Sequence, residues 1–265
     1  DDFEFIETDD QIKIVKEIKK DMEKGKVIDR LICGDVGFGK TEIAMRIAFK
    51  TIYDGKQVAY LAPTTILTRQ HYHTFKERFE KYGIRVELLN RLVSEKRQKE
   101  ILKDLKAGLV DVIIGTHRML SSDVAFKDLG LLIIDEEQRF GVVHKEIIKR
   151  MKANINVLTL TATPIPRTLQ MAVMGIRQLS LIETAPIDRH PIQTYVLEYN
   201  DAIIKEAIYR ELGRGGQIFY LHNKISDIEI VYRKLKRLVP EAKICVGHGK
   251  MNKEDLEDTI QSFID

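Results

Sequence analysis

Short apolar runs alternate with amphipathic segments along the chain as far as Ile182. Runs of this length and composition are typical of buried strands, and apolar positions at helical spacing separate them. We predict strands at Arg30–Cys33, Gln57–Leu61, Arg85–Leu89, Val110–Gly115, Leu131–Asp135 and Asn156–Leu160. We predict helices at Leu67–Tyr82, Ser94–Ala107 and Val143–Ala153, after a first helix that Thr8, Asp9 and Asp10 cap. The alternation predicts an α/β fold in which a parallel sheet carries helices on both faces.

The pattern changes beyond Ile182, where Pro186 and Pro191 bracket a polar stretch that is typical of a linker. A second α/β unit follows, with strands predicted at Gln193–Glu198, Gln217–Leu221 and Lys243–Val246 and helices at Ala202–Leu212, Ser226–Leu238 and Lys253–Phe263. These strands are too few for a complete domain. We therefore predict one domain over residues 1–187 and part of a second over residues 188–265.

A glycine-rich loop joins the first predicted strand to a helical pattern. Its sequence fits G-x-x-x-x-G-K-[ST], the phosphate-binding loop. Glycines let successive N–H groups face phosphate oxygens, and the helix that follows adds the positive end of its dipole. Lys40 would reach the β- and γ-phosphates, and the Thr41 hydroxyl would bind Mg²⁺. A flexible loop that matches by chance is the alternative. The predicted nucleotide-binding residues are Gly34, Asp35, Val36, Gly37, Phe38, Gly39, Lys40 and Thr41.

Composition adds little to this hypothesis. With 43 basic and 40 acidic residues the net charge is +3, so any nucleic-acid surface must come from local placement of charge. We expect Cys33 and Cys245 to be buried thiols of a reducing compartment. The seven histidines show no metal-ligand spacing, so we expect no structural metal. Without a signal-peptide profile or a long apolar run, we expect a cytoplasmic protein or an excised piece of one.

An acidic pair, Asp135 and Glu136, ends the most apolar of the predicted strands. Beside a phosphate loop, Asp135 would hold Mg²⁺ through water and Glu136 would act as general base on the attacking water. An acidic loop that caps the next helix is the alternative.

Three blocks together carry a resemblance to the superfamily 2 helicases and translocases: Gly34–Glu42, Asp135–Val142 with His144-Lys145-Glu146, and Thr161–Thr168. Within that superfamily the chain is similar to the transcription-repair coupling factors, and the branch-migration helicases are the nearest relatives. Phe38 and Glu42 favour the first group. The resemblance runs from about Phe3 to the end, and it implies a RecA-like P-loop NTPase fold followed by a truncated second RecA-like lobe.

The resemblance also implies roles for single residues. Phe5 and Gln11 would recognise adenine, although the residues alone indicate a buried staple and a solvated helix residue. Pro63, Thr64, Thr65, Thr116, His117 and Arg118 would hold the DNA backbone. Hydroxyls, N–H groups and an arginine at strand ends suit phosphate contact without base reading. Helix capping by the three threonines is the alternative.

Thr161 and Thr163 resemble the motif that links nucleotide state to DNA grip, and Gln138 would sense the γ-phosphate. A proline-stiffened turn is the alternative for this segment. The implied catalytic set is Lys40, Asp135, Glu136 and Gln138, with Thr41 and Asp135 on Mg²⁺. For Arg139 and Arg167 a core salt bridge and a phosphate contact stay equally open.

The resemblance implies an ATP-dependent double-stranded DNA translocase with ATP and Mg²⁺ as cofactors, and RNA polymerase as a partner bound and displaced through other parts of the parent protein. Alternatives are a branch-migration motor, another P-loop enzyme such as a small-molecule kinase or transporter ATPase, and a nucleotide-gated interaction module that does not translocate. The arginine-bearing motif Q-x-x-G-R-x-G-R does not occur in these 265 residues, so we expect weak ATP hydrolysis.

Overall fold

The computed structural model describes residues 6–152, 155–162, 178–187, 189 and 192–264. The chain divides into two compact units, Asp1–Pro191 and Ile192–Asp265.

Apolar runs buried on both sides form a parallel sheet in the first unit. Its strands are β1 (Asp29–Gly34), β2 (Gln57–Leu61), β3 (Val86–Leu89), β4 (Val112–Gly115), β5 (Leu129–Asp135), β6 (Asn156–Thr161) and β7 (Gln178–Ile182). They lie in the order β3-β4-β2-β5-β6-β1-β7, and every neighbouring pair is parallel. The carboxyl ends of all the strands therefore meet at one edge, where open parallel sheets bind their ligands.

Helices cover both faces of this sheet, as predicted. They are α1 (Asp9–Glu23), α2 (Lys40–Tyr53), α3 (Thr65–Glu80), α4 (Glu95–Ala107) and α5 (Val142–Met151). Apolar side chains of α1, α2 and α3 form a core with alternate residues of the strands, among them Ile32, Tyr60 and Ile133. The intervening strand residues, such as Leu61 and Ile134, pack with α4 and α5 on the other face.

Strand β7 was not predicted. It is an edge strand whose residues are partly exposed, so it lacks the continuous apolar run that marks the central strands. Polar contacts hold it in place, because the buried Arg30 of β1 bonds to Gln178 (3.2 Å) and Ser180 (2.8 Å) of β7. The same guanidinium pairs with Asp21 of α1 at 2.9 Å.

The second unit contains the three predicted helices, α6 (Asp201–Gly213), α7 (Ile228–Leu238) and α8 (Lys253–Ile264). The predicted strands were wrong: residues 192–200, 217–221 and 243–246 form no β-ladder in the described structure. A strand needs a paired neighbour to satisfy its backbone groups, and here Val196 and Leu221 are almost fully exposed. Cys245 is consequently exposed and not buried as expected, whereas Cys33 on β1 is buried as predicted.

None of the helices in the described residues combines the length and the apolar character that crossing a bilayer requires.

Candidate functional site

The loop between β1 and α2 has the backbone conformation that the phosphate-loop motif requires. Gly37 and Gly39 take φ values of 77° and 76°, in the left-handed region that favours glycine. A Cβ at Gly39 would also clash with the side-chain amide of Gln11. Because no side chain caps the first turn of α2, its N–H groups face the loop and can receive an anion.

Gln11 is buried, at 4% exposure, so the interpretation of this residue as a solvated helix residue was wrong. It occupies the third position of a capping box, where its Oε1 accepts from the Thr8 N–H (3.0 Å). Its Nε2 donates to the Phe38 carbonyl at 2.9 Å. Gln11 thus ties α1 to the phosphate loop. Phe5, its predicted partner in adenine recognition, lies outside the described residues, and the adenine role of both stays a prediction.

Lys40 lies folded against its own loop. Its Nζ donates to the carbonyls of Gly34 (2.6 Å) and Asp35 (2.8 Å). Burial lowers the pKa of this ammonium, and the nearby carboxylates of Asp135 and Glu136 oppose part of that shift. The predicted lysine and the predicted acidic pair therefore share one electrostatic environment.

Asp135 is the last residue of β5, and Glu136 follows it in a left-handed conformation with φ 50° and ψ 52°. The Glu136 N–H donates to the Leu160 carbonyl at 3.0 Å. Its carboxylate accepts from the Ala162 N–H at 3.3 Å and from the Gln138 amide. Glu136 makes no side-chain capping bond, so the capping alternative does not explain it.

These contacts connect the predicted base with the predicted coupling segment. Thr161 ends β6, is 3% exposed, and directly precedes Ala162. The structure thus brings Glu136, Gln138 and Thr161 together at neighbouring strand ends. Thr163 and Arg167 lie outside the described residues. Arg139 is exposed, so a core salt bridge is wrong for it.

Two buried residues of this site were not predicted. The Nε2 atom of His71 lies 3.1 Å from Oδ2 of Asp135 and 3.3 Å from the Tyr60 hydroxyl. The Tyr60 hydroxyl also lies near the side chain of Thr41. Tyr60 is on β2 and His71 on α3, so the contacts join elements that are distant in sequence. No spacing rule signals such a cluster.

The residues present fit a magnesium ion that binds together with a nucleotide. Thr41 offers a hydroxyl oxygen and Asp135 a carboxylate, both ligands that Mg²⁺ prefers. Mg²⁺ sites of this kind use one or two protein oxygens and take the remaining ligands from phosphates and water. Across the described ranges no group of three or more His, Cys, Asp and Glu side chains forms a metal cage.

The loops predicted to hold DNA lie beside each other. Strands β2 and β4 are neighbours, and the Ala62 N–H donates to the Gly115 carbonyl at 3.0 Å. The capping alternative is confirmed for Thr64, whose hydroxyl accepts from the Leu67 N–H (3.2 Å). It is wrong for the Thr116 side chain, which caps nothing.

The Arg118 side chain is engaged by neighbouring residues in this structure. Its guanidinium forms two bonds to Asp123, of 2.7 and 2.6 Å, and its Nε donates to Gln98 at 3.0 Å. The ring of His117 stacks on that of His144 with 5.0 Å between centroids. DNA contact by Pro63, Thr64 and Thr65 and by Thr116–Arg118 stays a prediction.

A phosphate loop before the first crossover helix, with an acidic pair two strands away on the same edge, defines a P-loop NTPase of RecA-like fold. More narrowly, the chain belongs to the DEAD/DEAH box helicase family, whose sequence profile matches residues 8–172. The predicted fold class and the predicted superfamily are both confirmed.

Among individual proteins, the chain is similar to transcription-repair-coupling factors. The chain is 59% identical over 263 residues to the transcription-repair-coupling factor of Bacillus subtilis (strain 168), a match covering 99% of this chain and 22% of that protein. It is 56% identical over the same length to the transcription-repair-coupling factor of Staphylococcus haemolyticus. The chain thus spans about a fifth of these curated relatives, 22% in each case.

Two solved structures resemble this one. RecG bound to a three-way DNA junction matches with a TM-score of 0.79 and 33% identity, over 98% of this chain and 35% of RecG. A variant of S. cerevisiae Dbp5 bound to RNA and ADP BeF3 matches with a TM-score of 0.65 and 17% identity, over 98% of this chain and 72% of that chain. The second match supports the fold alone.

Proposed function

We propose that this chain is the nucleotide-binding part of an ATP-driven double-stranded DNA translocase of the kind found in transcription-repair-coupling factors. One observation carries the proposal. The Glu136 carboxylate accepts from the Ala162 N–H and from Gln138, so the predicted base is physically joined to the segment predicted to report nucleotide state. Such a link would let hydrolysis at the nucleotide act on the loops proposed to hold DNA.

The roles follow from the positions of the side chains. Lys40 would leave the carbonyls of Gly34 and Asp35 for the β- and γ-phosphates, and Thr41 and Asp135 would hold Mg²⁺. When bound, the ion neutralises charge that develops on the phosphates. Glu136 would orient the attacking water and accept its proton, and Gln138 would contact the γ-phosphate.

The DNA grip would come from the loops after β2 and β4. Hydroxyl and N–H groups of Pro63–Thr65 and Thr116–Arg118 would contact phosphates of one strand, which suits movement along any sequence. We propose that, as part of a longer protein, this motor acts on stalled RNA polymerase in the cytoplasm. The name of the relatives, transcription-repair-coupling factor, is consistent with this proposal. We further propose that residues 188–265 are the first part of a second RecA-like lobe.

Nucleotide titration of two variants tests the assignment. Lys40→Ala should abolish ATP binding because the phosphates lose their cation, whereas Glu136→Gln should bind as the unchanged chain does, with micromolar affinity. Steady-state hydrolysis should be slow in the unchanged chain, little stimulated by duplex DNA, and at background in Glu136→Gln. Binding retained by Lys40→Ala would contradict the phosphate-loop role. Unimpaired ATP hydrolysis by Glu136→Gln would contradict the role of Glu136 as general base.

A branch-migration motor is the second candidate, favoured by the likeness to RecG on a three-way junction. Competition between linear duplex and three-way junction separates the two functions. Equal affinity for both DNAs supports the translocase, and a strong junction preference supports branch migration. Salt-independent or undetectable DNA binding would instead favour a nucleotide-gated interaction module.

A further inference from the structure

His71 lies behind the acidic pair, on the protein side of Asp135. It belongs to α3, is 7% exposed, and meets a residue 64 positions further along the chain. The ring packs against that of Tyr60, with 4.5 Å between centroids. Tyr60 is fully buried. Both side chains therefore have little freedom to change rotamer.

The contacts of His71 define its tautomer. An ionised Asp135 only accepts hydrogen bonds, so the Nε2 atom facing it at 3.1 Å must carry the proton. That N–H is shared with the Tyr60 oxygen at 3.3 Å.

Two hydrogen bonds in series join Asp135 to His71 and His71 to Tyr60. Asp135 is the residue that would offer a carboxylate to Mg²⁺. His71 and Tyr60 lie behind it, on α3 and β2, where the packing of their rings holds both side chains.

We propose that His71 is a positioning residue for magnesium: it orients the Asp135 carboxylate and is itself held by the Tyr60 hydroxyl. The proposal rests on the proposed function, because it assigns His71 to the metal that accompanies the nucleotide. Hydrogen-bond partners behind a metal ligand fix its orientation, and their loss typically costs about 10- to 100-fold in metal affinity.

The test measures nucleotide affinity as a function of Mg²⁺. A fluorescent, non-hydrolysable ATP analogue is titrated into the 265-residue chain in EDTA and at a series of Mg²⁺ concentrations. His71→Leu keeps most of the side-chain volume but removes the donor. We expect its half-saturating Mg²⁺ concentration to rise about 10-fold or more, while its affinity in EDTA stays within about twofold of the unchanged chain.

Further variants separate positioning from a general structural role. His71→Gln places an amide N–H where Nε2 was. Its half-saturating Mg²⁺ concentration should therefore return most of the way to that of the unchanged chain. Tyr60→Phe, which keeps the ring, should show a smaller loss because it removes only the hydrogen bond that helps to hold His71. His73→Leu is the matched control: it removes an exposed histidine of the same helix and should change nothing.

The outcomes are distinct. An unchanged Mg²⁺ dependence in His71→Leu, or a parallel loss of affinity with and without Mg²⁺ accompanied by a lower Tm, would overturn the proposal. A chain that binds no nucleotide under any condition would overturn the proposed function instead. Loss confined to the Mg²⁺-dependent affinity, with rescue by His71→Gln, supports the positioning role.

Discussion

Among single residues, Glu136 carries the clearest sign of functional constraint. It has the only positive φ among the non-glycine residues that the structure describes. A left-handed conformation costs an L-residue roughly 1–2 kcal/mol relative to glycine. Its side chain is meanwhile engaged by Ala162 and Gln138. The backbone strain thus aims the carboxylate at the position where the proposed base is needed.

Replacing Glu136 by glycine should therefore cost little stability. Relief of the strained φ offsets the lost hydrogen bonds, so the free energy of unfolding of Glu136→Gly should stay within about 1 kcal/mol of the unchanged chain. Glu137→Gly is the control, because Glu137 lies in a right-handed 3₁₀ turn and pairs with Lys152 at 3.2 Å.

We expect Glu137→Gly to be less stable than Glu136→Gly by roughly 1–2 kcal/mol. Urea denaturation of both variants measures the difference. Equal destabilisation would show that the left-handed conformation stores no strain.

Motif spacing singled out Lys40, Asp135 and Glu136 as the candidates to act on the nucleotide, because they lie in the phosphate-loop motif and at the end of an apolar strand. It did not locate His71 or the buried position of Gln11. Their partners are 64 and 27 residues away, so only the folded topology brings them into contact. A polar residue on a helix is solvated by default, and burial of these two depends on what the opposing loop presents.

At the scale of elements, the 3₁₀ turn after β4 holds Arg118 in an ion pair with Asp123. Both side chains are reachable from solvent, with 27% and 54% exposure. The pair competes with any DNA phosphate for the same guanidinium. The neighbouring loop after β2, Pro63–Thr65, contains no acidic residue that could compete with DNA phosphate in this way.

Asp123→Asn should therefore strengthen duplex binding. The freed arginine would add about one phosphate contact, which steepens the slope of log K against log salt by about 0.9. Asp128→Asn makes the same charge change just before β5, at the opposite edge of the sheet, and should leave binding unaltered. Fluorescence anisotropy across a KCl series measures both. An equal gain in duplex affinity in the two variants would show that the change in net charge alone explains the effect.

Strands β1 to β6 could be predicted, including β3 at one edge of the sheet, whereas β7 at the other edge could not. β1 to β6 appear in the sequence as largely buried apolar runs, but β7 is partly exposed, and its Gln178 and Ser180 bond to the Arg30 side chain. In the second unit the error is the opposite one: strands were predicted where the structure has none in the residues that it describes. Apolar runs such as residues 217–221 have strand-like composition, but composition alone supplies no neighbour to pair with.

At the scale of the molecule, the two units differ greatly in their cores. Asp1–Pro191 has large apolar clusters on both faces of its sheet. The buried core of Ile192–Asp265 consists of Ile208, Leu235, Val239 and Ala242. A core of that size provides little stability.

Differential scanning calorimetry should therefore show two transitions, the second unit unfolding first. Mg²⁺ with a non-hydrolysable ATP analogue at about 100 times Kd should stabilise the first unit by about 2.7 kcal/mol. For a unit of this size that corresponds to roughly 5–10 °C in Tm. The lower transition should not move. A shift of both transitions by the same amount would contradict separate unfolding.

In the proposed motor, the strand order also limits how ATP and DNA would influence each other. Three strand spacings, or about 14 Å, separate the phosphate loop after β1 from the loop after β2. At physiological ionic strength the Debye length is about 8 Å, so direct repulsion between nucleotide and DNA phosphates is largely screened. We therefore expect the signal between them to be mechanical and to pass through the loops after β5 and β6. In the proposed motor, salt should therefore weaken DNA affinity without uncoupling hydrolysis from movement.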